Sequence, residues 1–371
     1  MRNTNNKGNF CYGKYLIVLV LILITALPCH AADISDDIIR YSGADMLENH
    51  LPRTLKDSGV APTLKEPIQD NIFSKLAELM VSGIKKELKG FIGLCAFLCI
   101  CSVIRLYGNY FSAAGAATDY ICTLCTSFYC YSFTQGALDS VKTALSETDT
   151  FMSTMLPVMS SLYAVSGNAS ASISQNIGIY AAITLFEKIN TSVLLPFFNF
   201  AFSLAIVCQT SSIDLSGVLK IIKNVVVRCC VTIITLLTAL LFFKSTFSSA
   251  ADTLAIRGVK YAVSLIPIVG AMAGEAVRTV AASISVIKTS AGIFAVTAVF
   301  YTVAVPCIIL ICKKTLLSIC SVVGNVLGVK KEALFIEEIN GILSILLAIT
   351  VSVGIFFILA VTIFIKTAVI I

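Results

Sequence analysis

The chain contains no tryptophan and only two histidines, His30 and His50. That scarcity excludes several chemistries. A serine–histidine–acid triad, an HExxH zinc site and a histidine-ligated haem all need histidine in the folded body. His30 falls in an N-terminal leader, and His50 lies ahead of the first long apolar run. There is no GxxxxGK[ST] phosphate loop, so the chain has no such nucleotide site with which to drive work. An aspartyl protease working inside a membrane needs two aspartates in apolar spans, whereas Asp119, Asp139, Asp214 and Asp252 fall near span ends. Charge is scarce too: charged residues make up 13% of the chain, about half the share in soluble domains. No enzyme class, metal or cofactor is supported by these residues.

What is present is apolar. Hydrophobic residues make up 57% of the chain and mean hydropathy is +0.91. Charge is densest before Gly90. Beyond it come apolar runs of about 18–25 residues, the length that crosses a bilayer as a helix. The expected fold class is therefore all-α, a polytopic transmembrane protein with about six spans and one or two broken or re-entrant hairpins. The spans are expected at 90–107, 118–138, 189–208, 225–243, 290–312 and 341–365.

Three regions follow from this pattern. Residues 1–32 read as a signal peptide: Arg2, Lys7 and Lys14 precede the apolar run from Tyr15 to Leu27, and Ala31-Ala32 offers a cleavage site. Pro28 before Cys29 makes a poor lipoprotein signal. Residues 33–89 form an extracytoplasmic helical segment with a small acidic excess, interrupted by Pro52, Pro62 and Pro67. Residues 90–371 form the polytopic membrane domain. Most of the fourteen cysteines lie in apolar runs, where a free thiol behaves as a small hydrophobe. Cys122-Thr-Leu-Cys125 lacks the second pair or histidine a zinc site needs. The +6 net charge fits basic cytoplasmic loops and implies no nucleic acid.

The costly residues lie in two irregular stretches. One spans 151–186 around Pro157; the other spans 259–287 and carries Pro267, Gly270, Gly274, Glu275 and Arg278. Helix breakers and charges at membrane depth are tolerated where they are buried in protein or line an aqueous cavity. Glu275 and Arg278 are three residues apart and share a helix face. They either line a pore or form a structural ion pair. Glu187-Lys188 is a similar pair at the start of a span. Gly270 and Gly274 have GxxxG spacing, which permits close helix approach within the protein or between copies, as in a homo-oligomer. Lysine placement favours a hairpin at 259–287, because Lys313, Lys314, Lys330 and Lys331 then fall inside with Lys220 and Lys223. The spacing of Pro157 and Pro196 equals that of Pro267 and Pro306, which raises the prospect of a parallel repeat. Residues 315–340 end as an amphipathic segment suited to a membrane surface or a partner.

The leader, the short polar segment, the polytopic body, the element Ile266-Pro-Ile-Val-Gly270 with Gly274-Glu275-Ala276, and Lys330-Lys331-Glu332-Ala333-Leu334 together resemble the stage III sporulation protein AE family. The resemblance implies a membrane subunit made in the mother cell. Its location would be the membrane around the forespore, within a channel or secretion-like complex needed after engulfment. It implies partners among the other proteins of the same operon and a forespore membrane protein, and it carries no catalytic residues. A secondary transporter and a non-conducting scaffold are the alternatives. If Glu275 and Arg278 act by pairing, the exchange Glu275→Arg with Arg278→Glu should restore spore formation lost in either single substitution. Full activity in both single alanine variants would remove the pair from function.

Overall fold

The computed structural model describes residues 47, 49–57, 72–108, 115–165, 195–210 and 269–366, with isolated helical positions between 177 and 243. Six helices are described: α1 Arg53–Asp57, α2 Ile72–Gly108, α3 Gly115–Val165, α4 Leu195–Thr210, α5 Val269–Val326 and α6 Lys330–Lys366. No strand occurs among the described residues, in keeping with the all-α expectation.

The six expected spans are not reproduced. Among the described residues, three helical segments are long and apolar enough to cross a membrane: Ala77–Tyr107, Ser290–Val326 and Lys330–Thr362. The expected span at 118–138 lies inside α3, where tyrosines, threonines and Asp119 dilute its apolar character. The expected spans at 189–208 and 225–243 correspond to shorter apolar helices, Pro196–Gln209 and Asn224–Ala239. The signal peptide and Pro267 lie outside the described residues.

The helix breaks expected from proline and glycine are also absent where the chain is described. Pro157 lies inside α3 and Pro306 inside α5. A helical proline forfeits one backbone hydrogen bond, but Val303, Cys307 and Leu310 around Pro306 are buried and hold the adjoining turns in place. Pro196 occupies the first turn of α4, where an N–H has no intrahelical acceptor anyway. Gly270 and Gly274 sit in the opening turns of α5, which runs on unbroken through Glu275 and Arg278. Between residues 269 and 287 the chain makes no hairpin, and α3 stays helical to residue 165.

Side-chain contacts set the helix directions. Cys95 meets Cys320, Ser102 meets Leu327 and Arg105 meets Glu332, at separations of 225, 225 and 227 residues. A constant separation means that α2 runs parallel to the line formed by α5 and the turn after it. Gly90 lies against Phe133, Gly93 against Tyr129 and Arg105 against Asp119, so α3 runs antiparallel to α2. A Cβ on Gly90 would come within 2.7 Å of the Phe133 ring, so this crossing requires glycine. Tyr129 seals it by donating to the Gly90 carbonyl at 3.2 Å. α5 and α6 form an antiparallel hairpin, in which Gly354 accommodates Val303 and Ala333 meets Gly324.

That hairpin turns in three residues, Leu327 to Val329. Gly328 has φ of 78°, its N–H donates to the Asn325 carbonyl, and the Val329 N–H donates to Gly324. This double closure is the glycine-capped helix end that satisfies the last free carbonyls. The long inner loop expected from Lys313 onward is thus two helices and a tight turn.

One apolar core joins these elements, running from Leu47, Leu51 and Leu55 to Val361. α2 continues unbroken across residue 90. α4 is fixed by Phe202, packed edge-on against Tyr131 at 5.0 Å and Phe335 at 6.0 Å. Buried hydroxyls close on their own helices: Thr134, Thr302 and Thr350 each donate to the carbonyl four residues back.

The parallel register is testable. The Sγ atoms of Cys95 and Cys320 are 3.4 Å apart. Mild oxidation should join them, so that proteolytic fragments carrying each residue comigrate until reduced. A slip of one helical turn, about 5.4 Å, would abolish the link.

Candidate functional site

Two layers of charge are built into the bundle. In the first, Lys313 on α5 is almost fully buried. Its Nζ lies 2.5 Å from Glu87 of α2, donates to the Phe133 carbonyl of α3 at 2.6 Å, and sits 4.2 Å from the centre of the Phe133 ring. A buried ammonium is tolerable only with such partners. Here carboxylate, carbonyl and aromatic face come from two other helices.

The second layer gathers where α2 ends and α3 and α6 begin. Arg105 contacts Asp119 at 2.9 Å and Glu332 at 2.7 Å. Lys331 reaches Asp119 at 3.1 Å, and Thr123 donates to Glu332 at 3.3 Å. Glu332 is fully buried in the first turn of α6, where the helix dipole favours an anion. Ser102 donates to the Leu327 carbonyl at 2.8 Å, tying the tight turn to α2. Two cations and two carboxylates balance, so the layer is neutral. Glu332 Oε2 has no hydrogen-bond partner among the described residues.

The layers are regularly spaced. Glu87 and Arg105 are 18 residues apart on α2, about 27 Å at 1.5 Å per residue. From Gly90 to Ile104 the outward side chains of α2 are apolar: Ile92, Ile100, Val103 and Ile104 are exposed. α3 does the same with Tyr120, Ile121, Leu124 and Phe128. Around and beyond the Lys313 layer exposed charge appears on both helices. Lys85, Lys86 and Lys89 are exposed on α2, beside Met80, Val81, Ile84 and Leu88, and Asp139, Lys142 and Ser146 are exposed on α3. The apolar windows of α5 and α6 differ: 83% and 78% of their residues are buried in protein, against 17% in α2.

The candidate site residues read from the sequence are distributed otherwise. Glu275 and Arg278 lie on one continuous helix, with their side chains outside the description. Lys188 is exposed, and Glu187 lies outside the described residues. The sequence reading assigned Glu87 to the extracytoplasmic segment and Lys313 to an inner loop, whereas they touch. Only Lys330-Lys331-Glu332 before a long apolar run offered a signal, as an acidic residue in a helix's first turn.

A family model described as stage III sporulation protein AE matches residues 64–368. The chain belongs to the stage III sporulation protein AE family. The match covers both charge layers and every long helix, so these features belong to the family's domain. No curated protein and no solved structure matches the chain.

Glu332→Ala should destabilise the protein toward the lower end of the ~3–5 kcal/mol typical of a broken buried pair, because Arg105 keeps Asp119. Replacing Arg105 and Glu332 together by leucine should cost less than the sum of the single losses. Detergent-titration midpoints measure both.

Proposed function

We propose that this family member is the membrane-embedded subunit of a mother-cell/forespore channel complex. It would be needed for endospore development after engulfment, with a non-enzymatic role and an energy source in another subunit. One observation carries the membrane part of this reading. Exposed apolar side chains form a belt about 27 Å deep between two neutralised charge layers, close to the ~30 Å hydrocarbon thickness of a bilayer. Within the belt the exposed side chains of α2 from Gly90 to Ile104 carry no charge, and exposed lysine and aspartate begin at its Lys313 end. Sporulation follows from family membership, and the channel role from the family resemblance. The expected partners are other proteins of the same operon and a forespore membrane protein.

The secondary-transporter alternative leaned on broken helices at 151–186 and 259–287. Residues 151–165 of the first stretch and 269–287 of the second are unbroken helix, which favours the channel-subunit reading over it. A scaffold role predicts that partner assembly alone is lost when the chain is removed.

A strain lacking the gene should complete engulfment, then lose late forespore gene expression and heat-resistant spores. The protein should remain in membranes through an alkaline carbonate wash. Normal spore numbers, or release by carbonate, would overturn the reading.

A further inference from the structure

On the α5–α6 hairpin the apolar belt, with Ile319, Val322, Val326 and Leu334 exposed, is interrupted by a polar seam. Lys314, Ser318, Ser321 and Asn325 recur at helical spacing on one stripe of α5, and Glu337, Asn340 and Ser344 on one stripe of α6. The stripes meet. Lys314 donates to Ser344 Oγ at 2.5 Å, and Ser321 donates to Glu337 at 3.0 Å. Glu337, Asn325 and Ser318 are exposed, and Lys314, Asn340 and Ser344 half-buried.

Depth gives this seam its meaning. Ser321 lies one residue beyond the Cys95–Cys320 contact, so Ser321 and Glu337 sit level with residue 96 of α2. That is midway between Glu87 and Arg105. Lys314 adjoins the Lys313 layer. Polar side chains therefore run from one rim to the centre of the belt. Asn340 Oδ1 is buried and accepts no hydrogen bond among the described residues, an acceptor left for water. An exposed carboxylate at mid-bilayer depth is costly against lipid and is tolerated against an aqueous cavity.

We infer that the α5–α6 seam lines a water-filled path through the membrane and that Glu337, at its midpoint, makes the path favour cations. The inference rests on the channel-subunit reading and identifies its wall. A carboxylate at a constriction raises the local concentration of cations and lowers that of anions. The Lys314 ammonium stands at the rim, where it does not cancel a field at the midpoint.

The test uses the full chain in sporulating-cell membranes. Glu337 should be modified by a water-soluble carbodiimide with glycinamide, read by mass spectrometry at that residue. N340C should react with the cationic thiosulfonate MTSET, whereas I100C on the apolar face should react only with a lipid-soluble maleimide. Adding E337Q to N340C should lower the ratio of MTSET to anionic MTSES rates by at least about threefold. Modification of Glu337 by lipid-soluble carbodiimide alone would overturn the inference, since the seam would then face lipid. Modification by neither reagent would overturn it in favour of a protein-covered face. An unchanged rate ratio would overturn the cation preference. Spore counts of the deletion strain report separately on the channel-subunit reading, so the two failures are distinguishable.

Discussion

The buried ammonium of Lys313 constrains the bundle more than any other single group. Desolvating a charge costs several kcal/mol, and only close partners offset that. Glu87 and the Phe133 carbonyl are those partners, and they come from two helices far apart in sequence. Their contact fixes the axial position of α5 against α2 and α3 together. Given that position, Cys95 faces Cys320, Gly90 receives Phe133, and Arg105 arrives beside Glu332. Apolar packing alone would tolerate neighbouring registers, because leucine and isoleucine faces repeat every turn. A charge has only one neutralising partner.

That register has a consequence for depth. The apolar stretch 90–107 of α2 lies beside 315–326 and the tight turn, not beside the apolar stretch 290–312. The two most hydrophobic lengths of α2 and α5 are stacked along the bundle axis. Exposure separates them: the α2 stretch turns outward, while the α5 and α6 stretches are enclosed by protein. The same hydropathy thus does two jobs, a lipid-type surface in one half of the bundle and an interior core in the other. The glycine-capped turn makes this possible, since Gly328 lets α6 return along α5 within three residues and carries Glu332 to Arg105.

The enclosed core also shows how a chain this apolar keeps its polar groups. Threonines bond to their own helix carbonyls, charges pair across helices, and the remaining polar side chains collect on the α5–α6 seam.

Composition and run length by themselves determined an all-helical chain able to cross membranes, because satisfying backbone polar groups in an apolar setting demands helices. The short motifs pointed to the family. Proline misled: Pro157 and Pro306 lie within helices, since packing on both sides outweighs one lost hydrogen bond. Of the six spans expected, three lie on helices long and apolar enough to cross a membrane among the described residues, and a hydropathy window cannot tell a face against lipid from a face against protein. Lys313, Glu87 and Glu332 looked like loop or lead-in charges, and nothing local marks a charge as buried. Only the tertiary structure decided that, because a buried ion pair is a relation between helices some 225 residues apart, and one sequence carries no record of which residues meet.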